Sequence, residues 1–395
     1  MVQVSTQVRE SYASMCDETT DQAIPFAQHR ELPSTRAELP PGTILASADS
    51  HLLEPADWTD RMPAKFRDRA PRAWVDSDEL MRYSYDGAEV IDPFGACVST
   101  GREGIHDLSA RIADMDAEGI DKDLLFPQWS FAILAGVSEA HKDAPGRNPE
   151  YAMAYIRAYN KYVAETCAHY PDRLYGLGIL NFWDSETAAE NIAEIKELGL
   201  KGLVMPTNPP SVKYNEARLE PLWTAIEESG LPLSFHVGER VDMSGAGTLG
   251  TALMQNFHPY RRLWSLLTFS GILERHPELK VVFTEGQLHW IPGALQDADQ
   301  FYESFGSLLE PKLAHTPSHY WFQNCYATFQ EDEVGLGMLS QIGADRVMWS
   351  TDYPHSESVV GRCQDAAKAV ATMASAEDTR AILGGTTMRL WDMAD

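Results

Sequence analysis

The sequence predicts an α/β protein folded as a (β/α)8 TIM barrel, with an N-terminal arm and an insertion serving as a lid after strand one. Three observations lead there. Short runs rich in Val, Ile, Leu and Phe recur along the 395 residues; longer stretches of helical periodicity separate them; and the runs number eight. Apolar strands alternating with amphipathic helices make βα units around a parallel sheet, and eight such units close it into a barrel. An open doubly wound sheet is the architectural rival.

The elements follow in order. Residues 1–42 are polar and carry Pro25, Pro33, Pro40 and Pro41, which reads as an extended arm with one short helix near its start. The barrel domain then spans 43–395. Its first strand is 44–51, and the second does not arrive until 123–128. The intervening insertion, 54–111, holds Trp58, Trp74, Tyr83, Tyr85 and Phe94, and its Asp86-Gly87 pair predicts a hairpin. Loops after barrel strands carry function, so this aromatic insertion reads as a cover over the barrel mouth. Later strands are expected at 174–181, 202–208, 231–237, 280–285, 324–329 and 346–352. Helices are expected at 150–170, 185–198, 218–229, 259–275 and 330–342.

Composition narrows the function. The formal charge is −26, from 58 acidic and 32 basic residues. No basic surface survives such a field, so nucleic-acid and anionic-membrane binding are excluded, while a small-molecule substrate is not. The five cysteines (16, 97, 167, 325, 363) are scattered and odd in number, as reduced thiols of a cytoplasmic protein would be. The N-terminus lacks a basic region followed by an apolar run, so no signal peptide is expected, and no stretch approaches a membrane span. The arm and lid supply extra surface, and a homodimer is expected.

In a barrel of this kind the active site lies at the C-terminal ends of the strands. Those ends read Asp49-Ser50-His51, Gln128, Asn181, Asn208, His236, Glu285, Thr328 and Asp352. Asp49 and His51 are two apart on a strand and face one side. With His236 and Asp352 they make a carboxylate–imidazole set suited to a divalent metal. The acidic-x-His spacing alone is weak: it occurs three times, at Asp49/His51, Glu139/His141 and Glu274/His276, and only the first lies on a strand. Bland readings stand beside these. His236 is also readable as a hydrogen-bonded core histidine, and Asp352 as the cap of a following helix. Glu285 is open between ligand, acceptor to a ligand, general base and structural roles. His289 and His355 lie near the pocket but equally suit capping or packing. Gly245 to Gly250 fits the GxGxxG spacing without directly following a strand, so it reads as a loop rather than a dinucleotide site.

Four stretches then carry a resemblance: 47–55 (Ser-Ala-Asp-Ser-His-Leu-Leu-Glu-Pro), 232–236 (Pro-Leu-Ser-Phe-His), 282–292 (Val-Phe-Thr-Glu-Gly-Gln-Leu-His-Trp-Ile-Pro) and 348–355 (Met-Trp-Ser-Thr-Asp-Tyr-Pro-His). Tyr-Asn-Lys at 159–161 and Pro-Asp-Arg-Leu-Tyr-Gly at 171–176 add to them. From about residue 44 to the C-terminus the chain resembles the amidohydrolase-related family. This is the branch that includes aminocarboxymuconate-semialdehyde decarboxylase and the nonoxidative aromatic-acid decarboxylases. The resemblance implies a metal-dependent barrel in which Asp49, His51, His236 and Asp352 stand at ligand positions, with Asp352 also moving protons. At strand six the decarboxylases carry a Gly-His pair followed closely by Glu. This chain has Thr284-Glu285 and no histidine until His289.

That departure favours a hydrolase. One divalent ion, zinc before manganese, would lower the pKa of its water towards ~7. Asp352 would orient the hydroxide and pass its proton on, with Glu285 and His289 as further catalytic candidates. The substrate would be a small cyclic or aromatic amide, lactone or carbonyl compound, lined by Trp58, Trp129, Asn208, His355 and Arg240. The alternative is a lyase that decarboxylates an aromatic or unsaturated acid, with Arg240 on the carboxylate and Asp352 protonating carbon. A barrel without catalysis, serving as a scaffold, is the third class and predicts no bound metal.

Overall fold

The computed structural model describes residues 31–32, 35–75, 81–92, 102–105, 107–128, 130, 148–209, 212–237, 251, 254–255, 259–355 and 357–393. In chain order its strands are β1 (Ala46–Leu52), β2 (Arg72–Val75), β3 (Met81–Tyr85), β4 (Ala88–Asp92), β5 (Lys122–Pro127), β6 (Leu174–Ile179), β7 (Gly202–Pro206), β8 (Leu233–His236), β9 (Val281–Thr284), β10 (Cys325–Phe329) and β11 (Val347–Trp349). Eight of them form one sheet in the order β1-β5-β6-β7-β8-β9-β10-β11. Neighbours in it pair in parallel. Helices cover its outside, so β1, β5, β6, β8, β9 and β11 are buried along their whole length. This is why strands such as β9 and β11 read as apolar runs rather than alternating ones.

The last strand meets the first through the chain just beyond β11. Ser50 and Tyr353 form a parallel bridge. The Asp352 N–H donates to Asp49 O at 2.9 Å and the His51 N–H to Tyr353 O at 2.6 Å. β1 is irregular at this seam: its register against β5 shifts between Ser47 and Ser50. Ser47 Oγ fills the gap, donating to Asp49 O at 2.8 Å and accepting from Thr351 N at 2.9 Å. A bulge beside an active site re-aims side chains without breaking the sheet, and here it lies between the two ends of the closure.

The insertion contains the expected hairpin. β2, β3 and β4 make a three-stranded antiparallel sheet, and its β3–β4 turn is Asp86-Gly87, at φ 47° and 80°. Positive φ at both turn positions is what a two-residue hairpin needs and what Asp-Gly permits. Tyr85 carries the sheet onto the helix Pro149–Cys167, with ring centroids 4.9 Å from Tyr151 and 5.8 Å from Tyr155. That helix starts where Asn148 accepts from the Glu150 and Tyr151 amides ahead of Pro149 in the first turn.

Two expected helices are divided. The stretch 259–275 becomes Tyr260–Phe269 and Ile272–Arg275, parted at Gly271 with φ 72°. The stretch 330–342 becomes Glu333–Leu336 and Leu339–Ile342. The end of the N-terminal arm is docked: Arg36 donates to the carbonyls of Asp116 and Ala117, the latter at 2.7 Å, and Ala37 N donates to Gln364 Oε1. Residues 1–30 lie outside the described residues. Among the described residues no helix is long and apolar enough to cross a membrane, and Cys167, Cys325 and Cys363 are free thiols.

Candidate metal centre

Four strand ends deliver the centre. Asp49 and His51 come from β1, His236 ends β8, Glu285 follows β9, and Asp352 follows β11. Each is at most 3 % exposed. Glu285 and Asp352 adopt φ of 63° and 54°, a left-handed conformation that non-glycine residues rarely hold and that clusters at functional sites. The Thr328 hydroxyl helps to hold Glu285 there by accepting from its N–H at 2.8 Å.

The imidazoles are oriented from behind. His51 Nδ1 faces Pro127 O at 3.0 Å and His236 Nδ1 faces Val237 O at 2.8 Å. A carbonyl only accepts, so both Nδ1 atoms carry hydrogen and both Nε2 lone pairs of the neutral rings point inward. Those two Nε2 atoms lie 3.1 Å apart. Asp49 Oδ1 is 3.6 Å from His51 Nε2 and 3.5 Å from His236 Nε2. Neither oxygen of Asp49 nor of Asp352 has a hydrogen-bond partner. Two lone pairs face to face beside orphaned buried carboxylates are unfavourable unless a cation lies among them. Bonds of ~2.1 Å to one ion would set neighbouring donors about 3.0–3.4 Å apart. The donor set therefore fits a divalent cation.

Three of the four expected ligands, Asp49, His51 and His236, form one compact donor group. Asp352 reaches the same His51 from another side, with Oδ1 3.5 Å from His51 Nε2. It belongs to a second group with His51 and His355, and to a third with Glu285, His355 and Glu357. His355 stacks on His51 with centroids 4.2 Å apart and places Nδ1 3.0 Å from Asp352 Oδ1. Its Nε2 meets Gln128 Oε1 at 2.8 Å, so the strand end at Gln128 orients this ring.

Burial sets the electrostatics. It drives the His51 pKa well below the usual range, and His355 and His236 push the same way. It lifts the Glu285 carboxyl well above the usual range, with the charges of Asp352, Glu357 and Asp49 adding to it. Burial also raises Asp352 to about 7 against the opposing pull of His355. On His355 burial acts downward, but the Asp352 carboxylate outweighs it and the ring rises to about 9. These directions belong to the protein without an ion; a bound cation favours the ionised carboxylates.

The remaining expected residues fall in several places. His289 stands in none of these donor groups: its Nδ1 lies 3.0 Å from Asp332 Oδ2 at the start of the helix Trp290–Phe305. Trp58, itself in the insertion, is buried against the helix Pro149–Cys167, with its ring centroid 5.1 Å from Tyr155 and 5.8 Å from Tyr162. Asn208 is exposed just beyond β7. Trp129, Arg240 and the glycine-rich 245–250 stretch lie outside the described residues.

Two supporting groups escape sequence reasoning. Arg111 is fully buried and donates to Asp123 Oδ2, to Ser50 Oγ and to His51 O, the last two at 2.7 Å. Its guanidinium also sits 4.7 Å over the Tyr353 ring, so it ties β1 to β5 and to the residue after Asp352. Glu54 Oε1 accepts from Gln128 N, Ser130 N and Ser130 Oγ, fixing the loop after β5. Glu54 had a local signal, following the Asp49-Ser50-His51 motif by three residues. Arg111 had none, being one arginine in a helix.

A parallel barrel with a buried carboxylate–imidazole centre at the C-terminal ends of its strands defines an enzyme class, the barrel enzymes that work around a divalent cation. More narrowly, the chain belongs to the amidohydrolase family, whose Amidohydro_2 family model matches residues 106–393. It is 25 % identical over 231 residues to the gamma-resorcylate decarboxylase of Rhodococcus jostii, covering 52 % of this chain and 68 % of that one. Its fold matches 5-carboxyvanillate decarboxylase from Sphingomonas paucimobilis with a TM-score of 0.67 at 22 % identity, over 89 % of this chain and 100 % of the other. It also matches the 5-carboxyvanillate decarboxylase of Novosphingobium aromaticivorans, determined with bound manganese, with a TM-score of 0.60 at 25 % identity over 74 % and 83 % of the two chains.

These relatives overturn the hydrolase expectation, since they are decarboxylases. The error has a chemical origin. A carboxylate–imidazole metal centre is equally suited to activating water or to gripping a substrate carboxylate, so the ligand set does not separate the two reactions.

Proposed function

We propose that this protein is a metal-dependent nonoxidative decarboxylase, a lyase acting on an aromatic or unsaturated carboxylic acid. One observation carries the reading. A buried centre of unpartnered carboxylates and inward-facing imidazole nitrogens occurs in a chain whose relatives are gamma-resorcylate and 5-carboxyvanillate decarboxylases. Asp49, His51, His236 and Asp352 are the residues that would hold the ion. Manganese replaces zinc as the favoured metal, supported by the manganese in a structural relative and by the carboxylate share of the donor set. When bound, the ion would supply Lewis-acid chemistry towards the substrate's carboxylate.

The chain's own residues do the rest. Asp352 is placed to deliver a proton to the carbon bearing the carboxylate; the C–C bond breaks, carbon dioxide leaves and a C–H bond takes its place. His355, 3.0 Å from its Oδ1, sets the carboxyl's position, and Gln128 sets His355. Glu285 stands where the decarboxylases are expected to carry histidine, so it would meet the substrate with a carboxyl in place of an imidazole. Arg240 remains the candidate partner of the substrate carboxylate and Trp129 the candidate packing surface.

The test is a panel of hydroxybenzoates, including 2,6-dihydroxybenzoate and 5-carboxyvanillate, incubated with manganese-loaded protein in deuterium oxide. Carbon dioxide release with deuterium at the vacated carbon is expected. Near-normal turnover by metal-loaded Asp352→Asn would remove the proton-delivery role. Hydrolysis of lactones or amides with no carbon dioxide from any acid would remove the lyase reading.

A further inference from the structure

β1 gives the centre more than its two candidate ligands. The strand runs beside β5, with Leu52 opposite Pro127. Two residues further on stands Glu54, a carboxyl that is 2 % exposed. Its Oε1 accepts from Gln128 N at 3.0 Å, from Ser130 N at 3.0 Å and from Ser130 Oγ at 2.8 Å, all in the loop that leaves β5. A carboxylate is costly to bury unless donors surround it. Here one loop provides three of them, so Glu54 and the loop fix each other in place. From the far side, Ser130 Oγ meets Tyr155 Oη at 2.7 Å, which anchors the same point to the helix Pro149–Cys167.

The loop leads back to the centre through Gln128. Its Oε1 lies 2.8 Å from His355 Nε2. The His355 ring stacks on His51 with centroids 4.2 Å apart, and its Nδ1 faces Asp352 Oδ1 at 3.0 Å. His355 and Asp352 are buried and Gln128 is half-buried. In a close-packed interior a shift of the Gln128 amide passes to the ring it holds, and from the ring to the carboxyl that the ring faces. Glu54 touches neither Asp352 nor His355 in this chain of contacts; it sets where the chain begins.

We propose that Glu54 is a positioning residue for the metal centre, acting through Gln128 and His355 to hold the Asp352 carboxyl where an ion needs it. Partners that orient a ligand from behind commonly contribute about ten- to a hundredfold to metal affinity. The proposal rests on Asp352 being a metal ligand, as in the function proposed above, and on no particular substrate. Two rival roles give different results. A merely structural Glu54 would lower the melting temperature when lost and leave the metal affinity of the folded protein untouched. A Glu54 that attracts the cation only by its charge would lose its effect as fully in glutamine as in alanine.

The readout is Mn2+ affinity, taken from the free-ion electron paramagnetic resonance signal as chelator-stripped protein is titrated, with folding of each variant checked by circular dichroism. Glu54→Ala is expected to weaken Mn2+ binding about tenfold or more. Glu54→Gln keeps an oxygen acceptor for the three donors and should restore most of that affinity. Gln128→Met leaves the backbone bonds to Glu54 in place, removes the amide facing His355, and should reproduce the loss. Because the two residues act in series, the double variant should bind no more weakly than the weaker single variant. Wild-type affinity in folded Glu54→Ala overturns the proposal, and so does a glutamine variant as weak as the alanine one. Losses that multiply in the double variant overturn the route through Gln128. If Glu54→Ala does not fold, Gln128→Met decides, and wild-type affinity there overturns the proposal. Each of these results leaves the metal reading standing, whereas a wild-type protein that binds no Mn2+ overturns both together.

Discussion

Arg111 shows how a residue far from any substrate governs the centre. It grips the carbonyl of His51 and the hydroxyl of Ser50, pairs with Asp123 and lies over Tyr353, so one guanidinium spans both sides of the barrel seam. Removing one member of a buried ion pair leaves the other charged and unsolvated, which costs about 3–5 kcal/mol. Arg111→Met is therefore expected to destabilise the fold by that order, measured by denaturant unfolding. Arg111→Lys should recover only part of it, because a single ammonium cannot replace a planar fork that serves three acceptors at once. A loss below ~1 kcal/mol in the methionine variant would mean that the network is slack. None of this is legible in the sequence: Arg111, Asp123 and Ser50 meet only after two strands and a helix have packed. The candidate ligands Asp49, His51, His236 and Asp352 were legible as a set because each stands at or just past the end of a strand, where barrel chemistry resides.

The loop after β10 is organised by one side chain, Asp332. Its Oδ1 accepts from Gly335 N, capping the helix Glu333–Leu336, and its Oδ2 accepts from Leu288 N and His289 N. These bonds pin the segment that follows Glu285. Burial raises the Asp332 carboxyl, but the Gly335, Leu288 and His289 bonds outweigh it and hold the group below its usual range. The stability it lends is therefore present above the unfolded pKa of about 4 and is lost as pH falls through the depressed folded value. Asp332→Ala should cost about 1–3 kcal/mol at neutral pH, and the gap from wild type should shrink on acidification, as followed by thermal melts across pH 3 to 7. A gap that is flat with pH would mean that the neutral acid serves equally well. The same loop explains why 330–342 read as one helix. Its apolar residues have helical spacing, but a cap at Asp332 followed closely by Gly335 and Gly337 divides the stretch into two short turns. Gly271 divides 259–275 by adopting a positive φ. Strand existence was legible because most of the central parallel strands carry apolar runs, while helix ends depend on local polar bonds.

The protein as a whole is a closed barrel with unbalanced acid at one end, and the ion links these two facts. Without metal, the raised carboxyls of Glu285 and Asp352 have folded pKa values above those of the unfolded chain. Their contribution is complete below the unfolded value of about 4 and is lost as pH rises, for Asp352 through about 7. The metal-free protein should therefore unfold more readily at pH 8 than at pH 5. A bound cation reverses this, because it binds only the folded arrangement and prefers the ionised carboxylates. At a hundredfold excess over its dissociation constant, a ligand at one site adds about 2.7 kcal/mol. Manganese must also displace protons at pH 5, so its affinity, and with it the stabilisation at fixed Mn2+, should rise from pH 5 towards pH 8. The measurement is Tm with Mn2+ and with chelator at both pH values. Titration calorimetry in buffers of different ionisation heat would report the protons released. Equal manganese-induced shifts in Tm at the two pH values, with no proton release at pH 5, would show that the buried carboxylates are already ionised before the ion arrives. The unfavourable meeting of these donors in the metal-free protein would then have to be relieved by something other than protons.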